Sequence, residues 1–240
     1  MGKEAIKFIQ EELKDKKAEE VLNWALGSFK PNEIAFASSF GAEDQIITDM
    51  IAKSGKSIGI FTIETLRLPK ETHDTLEETE KKYGIKIEVL FPDKYLVTKM
   101  EDEYGKDFFY ESVEKRKMCC SIRKVEPLKR KLTGLKAWVC GLRKEQSTTR
   151  SNIEKIEWDE ALGLFKINPL ADWTEAQVWE YIRKNNVPYN KLHDKGYPSI
   201  GCEPCTKAVK PGDDIRSGRW WWESKDSKEC GLHIKKEKGK

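Results

Sequence analysis

Apolar residues recur at helical spacing over the first thirty positions: Ile6, Ile9 and Leu13, with Phe8 alongside, then Val21, Leu22 and Leu26. This spacing predicts two amphipathic helices, closed off by Pro31. The pattern then shifts to short runs at 33–37, 57–62, 85–90 and 137–140, which read as strands, the first and the last of them buried. A small-residue turn, Ser38-Ser39-Phe40-Gly41-Ala42-Glu43-Asp44, follows the first run and leads into a helix opening at Asp44. Pro69 stands in a favoured first-turn position for a second helix. Such alternation predicts an α/β fold, a Rossmann-like parallel sheet with helices on both faces and right-handed crossovers. Residues 151–168 read as an extended region or hairpin ending at Asn168-Pro169. A helix over 174–184 follows, with Asp172 or Thr174 as its cap and Glu175 in its first turn. Beyond Pro188, Gly and Pro recur at 196, 198, 201, 204, 211 and 212, which predicts an irregular C-terminal extension with a mobile tail.

Charge narrows the class. Lys and Arg total 44 against 41 Asp and Glu, a net charge of only +3. Dedicated nucleic-acid binders carry a basic excess, so no nucleic-acid partner is expected. No apolar run approaches the roughly 20 residues that span a bilayer, so no membrane partner is expected either. The N-terminal stretch has a helical period and mixed charge, unlike a signal or transit peptide. The expected location is cytoplasmic.

Six cysteines then stand out, at 119, 120, 140, 202, 205 and 230. A reducing compartment favours metal or catalytic roles for them over disulfides. Cys119-Cys120 and the CxxC pair Cys202 and Cys205 form two dithiol pairs that only folding can bring together. Four thiolates suit a structural zinc and an iron–sulfur cluster equally; adjacent cysteines favour the cluster, since neighbouring side chains reach two corners of a cube. Cys140 ends an apolar run and reads as a small core residue. Cys230 lies in a polar, Lys-rich stretch beside His233, where a thiol can be accessible and partly ionised.

Three segments carry candidate anion chemistry. The Ser38, Ser39 and Gly41 turn permits close backbone approach at a helix N-terminus, although neither common phosphate fingerprint is present. Arg143 and Lys144 leave the fourth strand and suit a phosphate or sulfate. Arg216 and Arg219 flank Trp220-Trp221-Trp222, and three consecutive indoles cannot readily all face one core, so at least one meets a ligand, another segment or a partner.

Together these pieces resemble the assimilatory sulfonucleotide reductases, an adenine nucleotide alpha hydrolase-like family. The match runs from about Glu33 to His233. It includes the Ser38–Asp44 loop, Arg67-Leu68-Pro69, Cys119-Cys120, Gly141-Leu142-Arg143, the CxxC pair, Arg219-Trp220-Trp221-Trp222-Glu223 and Glu229-Cys230-Gly231-Leu232-His233. The resemblance implies reduction of adenosine 5′-phosphosulfate to sulfite and AMP, with the 3′-phosphorylated substrate or an ATP-dependent adenylating activity as alternatives. It implies one 4Fe–4S cluster on Cys119, Cys120, Cys202 and Cys205, Cys230 as nucleophile, and a thioredoxin or glutaredoxin-like reductant. Lys124 matches a lysine between cluster and substrate, and Arg143, Arg216 and Arg219 match substrate-anion contacts. Residues 1–215 are then the sulfonucleotide-binding domain and 216–240 the segment carrying the catalytic cysteine; homo-oligomerisation is left open. The family's usual Asp-Thr-Gly is Glu64-Thr65-Leu66 here, and Ser121 stands where many relatives carry a basic residue.

Overall fold

The computed structural model describes residues 2–224, so Cys230 and His233 lie outside the described residues. Two short helices, α1 (Ile6–Leu13) and α2 (Ala18–Ser28), open the chain. They bury Ile9, Leu13, Val21 and Leu22, while Phe8 of the same pattern is exposed. Six strands follow: β1 (Ile34–Ala37), β2 (Gly59–Ile63), β3 (Glu88–Leu90), β4 (Ala137–Val139), β5 (Ile156–Asp159) and β6 (Leu164–Ile167). They form one sheet in the order β3-β2-β1-β4-β6-β5, parallel throughout except for the β5–β6 hairpin. The central strands are short apolar runs because both their faces are covered; Phe36, Trp138 and Val139 are all but inaccessible.

The hairpin expected over 151–168 does more than close on itself. Its second strand lies parallel to β4, so it extends the main sheet. Gly163, at φ 68°, supplies the left-handed residue of its turn, and Asp159 accepts the Ala161 and Leu162 amides.

Helices cover both faces. α3 (Ala42–Ser54) follows β1 with Gly41 as N-cap and opens two residues earlier than the expected Asp44. α4 (Lys70–Tyr83) follows β2 with Pro69 as N-cap. Glutamine–threonine bonding from Gln45 to Thr79 joins these two helices. α8 (Glu175–Lys184) begins at Thr174, whose hydroxyl accepts the Gln177 amide while the Gln177 side chain returns to the Thr174 amide. Asp49 of α3 fastens three helices: it accepts Tyr83 Oη at 3.0 Å and Tyr181 Oη at 2.8 Å, and pairs with Lys53 at 2.6 Å.

The stretch between β3 and β4 carries helices that hydrophobic patterning leaves unassigned: α5 (Lys94–Tyr104), α6 (Val113–Cys120) and α7 (Glu126–Leu132). A π-helical turn, Ser121–Val125, joins α6 to α7. Pro127 has no amide to donate back to Arg123, so the regular ladder is interrupted there. Asp93 and Ser112 cap α5 and α6. Among the described residues no helix is long and apolar enough to cross a membrane.

Asp49 is 2 % exposed, and its removal strands two partly buried phenols. Asp49→Ala is expected to lower unfolding free energy by about 2–3 kcal/mol. A urea midpoint within error of the parent would show that the three-helix fastening is dispensable.

Candidate active site

Strand order reverses at β1: β2 and β3 are added on one side, β4 and β6 on the other. In such sheets the crevice opens beyond the carboxyl ends of the strands at the reversal. A cavity of about 240 Å³ lies there, lined by Ser38, Ser39 and Gly41 after β1, Thr62 and Ile63 of β2, and Cys140 to Arg143 after β4. Phe61, Leu128, Trp138 and Leu142 make part of its wall apolar. Cys140 is buried in that wall, and burial pushes its thiol up to about 12, as expected for a core cysteine.

Asp44 ties the two strand exits together. One carboxylate oxygen accepts the Ser39 amide at 2.6 Å and the Ser39 hydroxyl at 2.7 Å, and the other accepts the Gly141 amide at 3.1 Å. A side chain at Gly141 would stand 2.3 Å from that carboxylate, which is why glycine follows the strand here. Phe40, at φ 59°, makes the left-handed step that turns the loop into α3. Motif spacing does not reveal this role of Asp44, whose signal in the sequence is the glycine two residues beyond β4.

The lining also includes cations: Lys124 from the π turn and Arg216 and Arg219 from the C-terminal extension. Arg219 Nη1 donates to the Ile200 carbonyl at 3.0 Å and lies 3.4 Å from Ser199 Oγ. Gly201 makes room for it, since a Cβ there would meet the guanidinium at 2.3 Å. Arg143 also lines the cavity, yet its Nε donates to Glu43 at 2.7 Å and its Nη1 to the Trp173 carbonyl at 3.1 Å. Part of that guanidinium is therefore committed within the protein. Lys144 is a correction: it pairs with Asp172 at 2.5 Å and does not line the cavity. Sequence reasoning also missed His193, which enters the wall edge-on to Trp179 at 5.1 Å. Burial lowers its pKa, so the ring is neutral at pH 7.

Beside Lys124 and Arg219, the four predicted thiols converge. Cys119 and Cys120 end α6, Cys202 and Cys205 flank a single turn, and all four are buried in one cluster with Met100, Phe108, Phe109 and Trp220. Burial raises the thiols of Cys119 and Cys205, the latter to about 12. At Cys202 burial is outweighed by Lys124, a 3.2 Å contact with Thr65 Oγ1, Arg219 and Arg123, and its pKa falls. Arg123 donates to the Thr65 carbonyl at 2.8 Å and to Glu101 at 2.6 Å. Arg116 approaches Cys120 and forms a bidentate pair with Glu223, both bonds 2.8 Å long. Four buried sulfurs ringed by Arg116, Arg123, Lys124 and Arg219 fit a group that needs anionic thiolates. Among the described residues no three His, Cys, Asp or Glu side chains form a site for a single metal ion.

The sheet order and the crevice define an α/β protein of the adenine nucleotide alpha hydrolase-like fold. The phosphoadenosine phosphosulfate reductase domain matches residues 33–208, and the chain belongs to that family. It is 54% identical over 202 residues to an adenosine 5′-phosphosulfate reductase of Allochromatium vinosum, covering 84% of this chain and 79% of the relative. A Burkholderia cepacia protein of the same name is 54% identical over 203 residues, covering 85% and 81%. Among solved structures, phosphoadenylyl-sulfate reductase from Candida auris, a phosphate complex, superposes with a TM-score of 0.74 at 30% identity, covering 87% of this chain and 98% of that one. An FMN adenylyltransferase from Candida glabrata, at TM-score 0.54 and 18% identity over 85% of this chain and 70% of its own, shares the fold.

Asp44 yields a pH test. Burial, the largest influence, raises its pKa to about 6 against the lowering pull of Ser39 and Gly141. The native state thus holds this proton more tightly than the unfolded chain. Its contribution to stability is complete below about pH 4 and is lost as pH rises through about 6. The stability of the parent minus that of Asp44→Asn is expected to fall by about 2–3 kcal/mol between pH 4 and 7. A difference that stays flat across that range would mean Asp44 titrates normally.

Proposed function

We propose that this protein reduces adenosine 5′-phosphosulfate to sulfite and AMP in sulfate assimilation, using a thioredoxin-type dithiol and an S-sulfonated Cys230. The observation that carries this reading is the shared wall of cavity and thiol pocket: Lys124 lines the cavity and acts on Cys202 and Cys205. Relatives of about half identity named for this substrate support it over the 3′-phosphorylated one. The 30%-identical structural neighbour named for the latter keeps that substrate as the second reading.

Residues 1–215 supply most of the nucleotide site, and 216–240 add Arg216 and Arg219 and bring the nucleophile. The adenosine lies against the apolar wall, with the Ser38, Ser39 and Gly41 loop permitting close backbone approach. The phosphosulfate lies toward Lys124, Arg143, Arg216 and Arg219. Cys230 thiolate attacks the sulfonyl sulfur, the sulfur–oxygen bond to phosphate breaks, and AMP departs with that electron pair. Negative charge grows on the departing phosphate oxygen, where fixed cations stabilise the transition state more than the ground state. A dithiol then attacks the Cys230 sulfur. Sulfite leaves with the bonding pair, and the second thiol resolves the mixed disulfide, returning Cys230 as a thiol and the dithiol as a disulfide.

Cys119, Cys120, Cys202 and Cys205 would hold a 4Fe–4S cluster. When bound, it supplies fixed charge beside the sulfonate end, since both displacements at sulfur move electron pairs without it. Lys124 holds its ammonium between the thiol pocket and the anion.

Intact mass after separate anaerobic incubation with adenosine 5′-phosphosulfate, its 3′-phosphorylated form and ATP tests the reading. One added sulfonate is expected, fastest from the first nucleotide and absent in Cys230→Ser. Faster labelling by the 3′-phosphorylated form would reassign the substrate. Consumption of ATP with no adduct from either sulfonucleotide would overturn the reductase.

A further inference from the structure

The three consecutive indoles occupy three environments. Trp220 is buried, with Arg116 over its ring at 4.4 Å and Arg219 at 4.8 Å. Trp222 packs against Phe109 and Tyr110 at 6.1 and 4.4 Å between ring centres. Trp221 remains 43% exposed, and Tyr110, at 6.3 Å from it, is 39% exposed. The Lys207 ammonium sits 3.2 Å over the Trp221 ring. These three side chains stand on the outer side of the CxxC turn, where Tyr110 Oη donates to the Pro204 carbonyl at 2.8 Å. None of them lines the cavity. Scattered exposed apolar residues are ordinary, but an adjoining Trp and Tyr are the residue types that anchor protein interfaces.

The chain leaves this surface from a fixed point. Glu223, two residues after Trp221, is held by Arg116 with the two side chains only 2% and 1% exposed. Cys230 lies seven residues further along the sequence, a reach of at most about 25 Å. A small domain is about 30 Å across. A protein whose sulfur meets that of Cys230 therefore comes within that reach of Glu223, and a body of this size can cover the surface around it.

We propose that Trp221, Tyr110 and Lys207 form the docking surface for the protein dithiol that reduces S-sulfonated Cys230. The inference rests on the function proposed above and adds where the reductant binds. The aromatic pair supplies apolar contact area, and Lys207 favours a partner whose facing rim is acidic. Because the surface lies outside the cavity, it serves the second displacement and not the first.

The test uses full-length, cluster-loaded protein and compares Trp221→Ala and Lys207→Glu with the parent. Three rates are measured: adduct formation without reductant, sulfite release by thioredoxin, and sulfite release by dithiothreitol. The KM for thioredoxin is expected to rise about 10- to 30-fold in Trp221→Ala and to rise also in Lys207→Glu. Adduct formation and release by the small dithiol should stay within about twofold of the parent. Lys207 is exposed, so its variant decides the matter if Trp221→Ala loses iron. An unchanged KM for thioredoxin in an iron-replete variant overturns the proposal. So does a parent dimer that Trp221→Ala converts to monomer without changing that KM, which would make the face a contact between copies. A parent that forms no adduct fails at an earlier step and overturns the functional reading itself.

Discussion

Four thiols in one apolar pocket impose the constraint on which the surrounding structure depends. Sulfurs that carry negative charge away from water require nearby cations, and cations buried to supply it require partners of their own. Arg116, Arg123 and Arg219 are all nearly inaccessible. Each is held by a carboxylate or carbonyl from a distant segment: Glu223, Glu101 with the Thr65 carbonyl, and the Ile200 carbonyl. That requirement draws together α5, α6, the π turn and the C-terminal extension. The extension is further fastened by hydrogen bonds from the Trp220 amide to the Cys205 carbonyl and from the Lys207 amide to the Gly218 carbonyl.

The cavity inherits its polarity from this arrangement. Its apolar wall belongs to the sheet, where Phe61 and Trp138 would be buried whatever the protein bound. Lys124 and Arg219 belong also to the thiol pocket, because each acts on a cysteine and also lines the cavity. A ligand that carries both an aromatic base and an anionic group suits a lining of this mixed character. On the function proposed above, charge that acts on the sulfurs is reused on the substrate, and the thiol pocket contributes to anion binding without any electron passing through it.

Legibility followed contrast in the sequence. β1 and β4 stand out because strands covered on both faces are unbroken apolar runs, and the loop after β1 because small residues cluster there. α6 buries Arg116, Cys119 and Cys120 in place of an apolar stripe, so the helix carrying the tandem cysteines gave no periodic signal, although Ser112 was available as its cap. The thiol pairs and Arg216 and Arg219 could be named in advance, since residue type alone restricts their chemistry. Their partners could not. Glu43 takes up part of Arg143, Glu223 grips Arg116 from 107 residues away, and Asp44 joins two loops 97 residues apart. Such pairings depend on topology, which places β4 beside β1 only after three strands and their helices have been laid down.

The Glu64-Thr65-Leu66 departure shows how a local rule is broken and compensated. Leu66 holds φ 62°, a left-handed conformation that a glycine adopts at little cost and that a leucine resists. The opposing terms are visible nearby. The Leu66 amide donates to Glu64 Oε1 at 2.6 Å, and the other oxygen of that carboxylate is held by His73 at 2.6 Å. A glutamate here is long enough to reach the amide two residues on and still meet α4, so it belongs with the leucine as a pair. The strain is of order 1–2 kcal/mol, a size that one charge-assisted hydrogen bond can offset. Thr65, between them, keeps its hydroxyl on Cys202 and its carbonyl on Arg123. The turn is therefore held by the thiol pocket on one side and the Glu64–His73 pair on the other, and it keeps its left-handed step without a glycine.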